Sequence, residues 1–327
     1  MGQLIDGEWV TDGAKPKKPD GTFVRKEAGF RNWITKSGAA GTSGTGGFQA
    51  ESGRYHIYVS YACPWAHRTL MFRALKGLAD HVSFDVLHPD VAQDGWSFST
   101  DFAGATGDTV NGRRFLRDVY TAADPDITSR VTVPVLWDKK QETIVSNESS
   151  EIIRMFNSAF DDITGNTSDH WPKKLRPAMQ TVNERIYETL NNGVYRCGFA
   201  RSQSAYDAAV HKVFETLDWL EVRLTTSRYL MGATLTEADW RLFATLIRFD
   251  PVYHTHFKCN RKWLREYPNL WAYTRELFQW PGISETVKID HIVRHYHFSH
   301  ESINPHRIIP INPLIDYDEP YDRALIA

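Results

Sequence analysis

Cys63 is the residue whose surroundings most favour chemistry. It follows a β-branched and aromatic run at residues 54–60 and precedes Pro64, a residue typical of the first position of a helix. A thiol at a helix start faces unpaired amides and the positive end of the helix dipole, which lower the pKa of a cysteine. The pattern therefore predicts a thiolate nucleophile at a strand-to-helix junction.

Cys63 has no second cysteine close by in the sequence. A dithiol redox site needs a thiol three positions further on, where this chain has Ala66. An external thiol must therefore release any adduct that forms on Cys63. The alternative interpretation, a small buried residue at a strand end without chemistry, stays open at this stage.

Two further segments could complete a site around this thiol. A cis proline at Val133-Pro134, if it faces the cysteine, would present the Val133 main chain to a peptide ligand, but a sequence does not reveal the cis form. Glu148 and Ser149 lie between a predicted strand and a predicted helix, where they could bind the ammonium and carboxylate of an amino-acid-like ligand. Ordinary helix capping explains the same two residues.

The elements that must position these residues fall into two halves. Strand patterns at residues 54–60, 81–87, 131–137 and 143–145 alternate with helices that begin at Pro64 and pass through Ile152 and Phe156. This alternation predicts an α/β unit with a partly parallel sheet and a long polar insertion at residues 89–130. From residue 171 onward the apolar residues recur at helical spacing, so the second half is predicted to be all-helical.

These patterns divide the chain into four predicted segments. They are an extended lead-in at residues 1–50, an α/β domain at 51–165, a helical domain at 171–290 and a tail at 291–327. The lead-in holds a Lys-Pro run at 15–19 and a Gly-rich stretch at 38–47, which lacks the preceding strand and the ending of a phosphate-binding loop. The apolar patch at 308–311 predicts that the tail docks on the body of the protein.

Composition excludes several classes of function. The 327 residues carry 38 basic and 40 acidic side chains, and this formal charge of −2 gives no electrostatic case for nucleic acid. Three cysteines argue against a disulfide framework and for a reducing compartment. No apolar run approaches the roughly 20 residues of a membrane helix, and no leader or lipid-anchor motif is apparent. We therefore expect a cytoplasmic protein.

A zinc site is the main alternative chemistry. His254, His256 and Cys259 form a His-x-His-x-x-Cys cluster, and four more histidines lie within residues 291–300. Their spacing matches no common structural finger, so we expect no metal. Cys197 and Cys259 lack a turn that would activate them and are expected to be structural.

Three motifs resemble one known family. Residues 61–68 read Tyr-Ala-Cys-Pro-Trp-Ala-His-Arg, residues 131–138 Val-Thr-Val-Pro-Val-Leu-Trp-Asp, and residues 146–149 Ser-Asn-Glu-Ser. Together they are similar to the glutathionyl-hydroquinone reductases, the Xi class of glutathione transferases. Likeness at 95–96, 249–253 and 304–305 extends this resemblance over almost the whole chain. The Cys-Pro-Trp-Ala sequence combined with the long insertion is highly specific for that class.

The resemblance implies a fold, an assembly and a set of site residues. The fold would be a thioredoxin-like domain followed by an all-helical glutathione-transferase domain, assembled as a homodimer. Glutathione, the co-substrate, would lie beside Cys63 and contact Trp96, Arg130, Val133, Glu148 and Ser149. The aromatic acceptor would bind at three tyrosines from the helical half, namely Tyr195, Tyr253 and Tyr296.

The implied activity removes glutathione from S-glutathionyl-hydroquinones. The Cys63 thiolate would attack the thioether sulfur and form a mixed disulfide with glutathione. A second glutathione would then attack this mixed disulfide, and glutathione disulfide would leave. A general glutathione-disulfide or dehydroascorbate reductase would need the same cysteine but no tyrosine-lined site. A binding protein that keeps the fold without catalysis is the other alternative, and the intact Cys63-Pro64 turn disfavours it.

Overall fold

The computed structural model describes residues 2–11, 28–323 and 326, and these divide into two units. The first unit contains residues 2–11, 28–168 and 286–299, and the second contains 169–285 and most of the chain from 300 onward. The Lys-Pro run at 15–19 lies outside the described residues. None of the described helices is long and apolar enough to cross a membrane.

The first unit is an α/β structure. Its first ten elements in chain order are β1 (Gln3–Ile5), β2 (Glu8–Val10), β3 (Tyr55–Val59), α1 (Pro64–Leu75), β4 (Val82–Val86), α2 (Leu116–Ala123), β5 (Val135–Asp138), β6 (Thr143–Ser146), α3 (Ser149–Ser158) and α4 (Asp161–Thr164). β1 and β2 form a hairpin, while the other strands form one sheet in the order β4-β3-β5-β6. β3 and β4 are parallel and the remaining neighbours antiparallel, so the predicted partly parallel sheet is confirmed.

The central strands are buried on both faces. All residues of β3 and β5 are buried, and strands of this kind appear in the sequence as continuous β-branched and aromatic runs. β5 begins at Val135, four residues later than predicted. The main chain before it bonds elsewhere, because Thr132 exchanges hydrogen bonds with the hydroxyl of Tyr120 instead of joining a strand.

The polar insertion at residues 89–130 contains a helix, α2, that the sequence patterns did not reveal. Leu116, Val119 and Tyr120 are its buried residues, and their i, i+3, i+4 spacing is that of an amphipathic helix. Asp118 accepts a hydrogen bond from the Phe115 amide at 3.1 Å and so caps the first turn. Two turns give too few apolar positions for the period to stand out from the polar residues around them.

The second unit is helical, as the periodicity predicts. Its α-helices are α5 (Arg176–Ile186), α6 (Gly193–Gly198), α7 (Gln203–Arg223), α8 (Glu237–Leu246) and α9 (Pro268–Phe278). Short 3-10 turns lie at Lys173–Leu175 and Leu264–Glu266, and π-helical turns lie at Tyr187–Asn191 and Phe249–Tyr253. α8 is buried along its whole length and begins at a cap in which Thr236 donates to Asp239.

The C-terminal segment differs from the predicted tail. A 3-10 turn at Ser284–Thr286 leads into a helix, α10 (Ile289–Ser299), and this helix belongs to the first unit. The expected docking of the patch at 308–311 is wrong for Ile308 and Ile311, which are 66% and 101% exposed. Pro310 between them lacks an amide proton, and this segment joins neither a helix nor a sheet.

Candidate active site

Cys63 lies where the chain passes from β3 into α1. It is the N-cap residue of α1, its backbone is extended (φ −78°, ψ 121°), and Pro64 takes the first helical position. Its side chain is partly exposed and does not cap the helix. The predicted strand-to-helix position of this thiol is therefore confirmed, and the positive end of the α1 dipole lies beside it.

The main chain of Val133 stands next to this thiol. The Cys63 Sγ atom lies 3.6 Å from the carbonyl oxygen of Val133, and the peptide bond from Val133 to the following proline is cis. The hydroxyl of Tyr120 donates to the Thr132 carbonyl at 2.9 Å and accepts from Asn147 Nδ2 at 3.0 Å. α2 and the loop after β6 thus hold the segment that faces the thiol.

Glu148 and Ser149 begin α3. Glu148 is the N-cap residue, and its Oε1 accepts hydrogen bonds from the amide and the hydroxyl of Ser150 at 2.9 and 2.8 Å. The capping interpretation of this residue is therefore confirmed. Only one carboxylate oxygen takes part in the cap, so Oε2 is available to a ligand cation. Ser149 is buried, and Glu148 is partly exposed.

Trp96 lies near the start of the long insertion, and Arg130 lies at its end. The Trp96 ring stacks on the imidazole of His295 from α10, with ring centroids 5.0 Å apart and planes inclined by 13°. The Trp96 carbonyl accepts a hydrogen bond from the Leu116 amide at 3.0 Å, which ties it to the start of α2. Arg130 is partly exposed. All five residues predicted to bind glutathione belong to the same unit as Cys63.

The three predicted tyrosines fall in both units. Tyr195 in α6 and Tyr253 in the second unit have ring centroids 6.1 Å apart, and both rings contact Phe257, at 5.2 and 5.5 Å. Tyr296 was expected with the second half of the chain, but α10 places it in the first unit, directly after His295. Tyr253 and Tyr296 are buried, whereas Tyr195 is partly exposed.

The segment that carries Tyr253 is a π-helical turn. Within it, Asp250 accepts hydrogen bonds from the amides of Leu264 and Arg265 at 2.6 and 3.3 Å, and burial raises the pKa of this carboxyl. Turns of this kind are frequent at functional sites because the added residue redirects the side chains around it. Apolar periodicity does not reveal a π turn, so the sequence patterns missed this feature.

The histidines of the sequence cluster and the other two cysteines make contacts of different kinds. His256 Nε2 lies 3.2 Å from His300 Nδ1, whereas the His254 ring stacks on Trp263 with a centroid distance of 3.4 Å. In the described ranges no group of three or more His, Cys, Asp or Glu side chains could hold a metal. Cys197 and Cys259 are buried, and burial raises the pKa of Cys259 well above its usual range.

Comparison with known proteins decides the family. Models of the glutathione S-transferase N-terminal and C-terminal domains match residues 62–159 and 203–276. The chain is 55% identical over 323 residues to glutathionyl-hydroquinone reductase YqjG of Escherichia coli (strain K12), and the match covers 99% of this chain and 98% of that protein. The chain belongs to the glutathionyl-hydroquinone reductases, the Xi class of glutathione transferases.

Solved structures of this family match nearly the full chain. The glutathione-bound structure of YqjG has a TM-score of 0.92 at 54% identity and covers 99% of each chain. A Xi-class glutathione transferase from Natrialba magadii also has a TM-score of 0.92, at 49% identity, and covers 99% of this chain and 97% of its own. The predicted fold class, a thioredoxin-like domain followed by an all-helical glutathione-transferase domain, is confirmed.

Proposed function

We propose that this protein removes glutathione from S-glutathionyl-hydroquinones, with glutathione as the second substrate. The observation that carries the proposal is the partly exposed Cys63 thiol at the start of α1, beside the Val133 main chain. The E. coli relative is named for this activity, and its structure was solved with glutathione bound.

The reaction consists of two exchanges at sulfur. The Cys63 thiolate attacks the sulfur of the thioether, a mixed disulfide with glutathione forms, and the ring takes up a proton and leaves as the hydroquinone. A second glutathione thiolate then attacks the mixed disulfide, and glutathione disulfide leaves while the Cys63 thiolate is restored. Ala66 provides no internal thiol for this second step, and the other two cysteines are buried.

The site residues divide between the two substrates. We assign Val133, Glu148 and Ser149 to the peptide and the γ-glutamyl end of glutathione, and Trp96 and Arg130 to the rest of it. The partly exposed carboxylate of Glu148 supports this assignment, because a carboxylate at a helix start suits the ligand ammonium. Tyr195, Tyr253 and Tyr296 are assigned to the hydroquinone ring.

We further propose that the protein is a cytoplasmic homodimer. The resemblance to the Xi class supports the dimer. All three cysteines are free thiols, as expected of a reducing compartment.

Product analysis tests the proposed reaction. We expect glutathionyl-benzohydroquinone and glutathione to be converted into equal amounts of benzohydroquinone and glutathione disulfide, measured by liquid chromatography. The neighbouring rings of Tyr195 and Tyr253 favour the aromatic thioether as substrate over dehydroascorbate, because reduction of dehydroascorbate needs no tyrosine-lined site. Turnover of dehydroascorbate without turnover of the thioether would assign the protein to the general reductases instead.

Glu148 provides a test of glutathione binding. Glu148→Gln keeps an oxygen that can accept from the Ser150 amide but removes the charge, so the cap survives while the contact with the ligand ammonium weakens. We expect the Kd for glutathione to rise about tenfold, the loss of one charge-assisted hydrogen bond, as measured by calorimetry. Ser150→Ala, which removes only a hydroxyl that donates to Glu148, is the matched control. Equal affinities of the Gln variant and the wild type would leave Glu148 with the capping role alone.

A further inference from the structure

One face of α10 fastens the insertion that carries Trp96. Side chains at positions 291, 294, 295 and 299 reach it, and this i, i+3, i+4, i+8 spacing lies on one side of a helix. The contacts are His291 Nε2 to the Ala103 carbonyl at 2.7 Å, Arg294 to both carboxylate oxygens of Asp90 at 2.7 Å, His295 Nδ1 to the Pro89 carbonyl at 2.7 Å, and the Val91 amide to Ser299 Oγ at 2.9 Å. A helix distant in sequence therefore fixes residues 89–103 within the first unit.

The Trp96 indole stacks on His295, one of these side chains. Trp96 and His295 are 7% and 6% exposed, and their nearly parallel rings are in stacking contact. A carbonyl oxygen can only accept, so Nδ1 of His295 carries a proton that it donates to Pro89. The hydroxyl of Ser299 lies 3.3 Å from the same nitrogen. The hydrogen bond to Pro89 orients the imidazole, and the Trp96 indole stacks parallel to that ring.

We propose that His295 is a positioning residue for glutathione binding, which acts by fixing the plane and place of the Trp96 indole. The proposal rests on the assignment of Trp96 to glutathione under the proposed function. His295 acts here through Trp96, so its loss should weaken binding of the glutathionyl group more than it slows the chemical step.

Two substitutions separate the imidazole ring from its hydrogen bond. His295→Phe keeps a flat ring against Trp96 and loses the donor, whereas His295→Asn keeps a donor near the Nδ1 position and loses the ring. We expect the Kd for glutathione, measured by calorimetry, to rise about five- to tenfold in the Asn variant and about two- to threefold in the Phe variant. The kcat at saturating substrates should stay within about twofold of wild type in both.

Fluorine NMR observes the indole directly. The chain has 11 tryptophans, and after labelling with 5-fluorotryptophan the Trp96 signal is identified by its loss in Trp96→Phe. We expect this signal to shift and broaden in His295→Asn, because the indole loses its stacking partner, while the other signals stay in place. His211→Asn on the exposed side of α7 is the matched control and should move none of them.

The outcomes separate this inference from the proposed function. An unchanged Trp96 signal in His295→Asn would overturn the positioning role of His295, whether or not the wild type binds glutathione or turns over the thioether. A lower Tm with unchanged Kd in both variants would also overturn it, because His295 would then serve stability alone. A wild type that binds glutathione and turns over the thioether keeps the proposed function intact in either case, whereas a wild type that does neither refutes that function.

Discussion

Cys63→Ala is expected to lower the rate of hydroquinone release from glutathionyl-benzohydroquinone by at least about a thousandfold. In the proposed reaction the sulfur of this residue is the attacking atom in the first step and the leaving group in the second, so neither step proceeds without it. The Cys63 side chain makes no hydrogen bond that caps α1, so alanine leaves the helix start intact. The fold should therefore persist, as measured by circular dichroism.

The mixed disulfide gives a second readout for the same variant. Wild-type protein treated with the thioether in the absence of free glutathione should become heavier by one glutathione, and a reductant should remove this mass. Cys63→Ala should gain nothing. Cys197→Ala and Cys259→Ala are matched controls at the two buried thiols and should gain the mass as the wild type does. Wild-type turnover in Cys63→Ala would show that another group attacks the sulfur.

The sequence was informative where the structure is local. The run at residues 54–60, Pro64 and the absence of a cysteine at Ala66 are neighbours in the chain, so the β3-to-α1 junction and its single thiol could be predicted from them. Glu148 could be placed at the start of α3 for the same reason. Such features depend on backbone preferences and apolar spacing over a few residues, which a sequence displays directly.

The remaining parts of the candidate site depend on contacts between distant segments. The stack of Trp96 on His295 joins residues about two hundred positions apart, and α10 leaves the helical half to join the first unit. The cis bond after Val133 and the π turn at 249–253 are backbone states that residue types permit but do not require. These features become visible only once the tertiary structure is known.

Cleavage of an aryl thioether requires stabilisation of the leaving group by the site, whereas cleavage of a disulfide does not. Attack on the sulfur breaks the carbon–sulfur bond and leaves the electron pair on the ring carbon, and an aryl carbanion is a very poor leaving group. In the keto tautomer of the hydroquinone ring the carbon–sulfur bond lies next to a carbonyl, so the departing electron pair can move onto oxygen. A donor to this oxygen then stabilises the transition state, and a phenol is suitable because it is neutral at pH 7 and rigid.

Tyr195, Tyr253 and Tyr296 are the candidate donors. In the second unit the rings of Tyr195 and Tyr253 form one aromatic cluster with Phe257, which stacks on Tyr253 with planes inclined by 10°, and Tyr195 is the partly exposed member. Aromatic side chains of this kind are typical of sites that bind flat rings. The structural alternative is that each hydroxyl serves only to satisfy a buried hydrogen bond, and substitution by phenylalanine distinguishes the two because it removes the hydroxyl and keeps the ring.

At least one of the three Tyr→Phe changes is expected to lower kcat on glutathionyl-benzohydroquinone by tenfold or more, and by about a hundred- to a thousandfold where the lost hydroxyl is the main donor. The same variant should change the rate with a mixed disulfide of glutathione and cysteine by less than about threefold, because that substrate already has a thiolate leaving group. Tyr206→Phe is the matched control, since its hydroxyl donates to the Lys258 main chain at 2.6 Å, and it should leave both rates unchanged.

The ratio of the two rates decides the role of each hydroxyl. A loss confined to the thioether identifies the donor to the ring oxygen, because the two substrates share Cys63 and the glutathionyl group and differ in the leaving group. Equal losses on both substrates would mean that the hydroxyl supports the site as a whole, and the oxygen-stabilising role would then be wrong for that residue. Full activity of all three variants on the thioether would rule out all three tyrosines as the donor, and another group would then have to stabilise the departing electron pair.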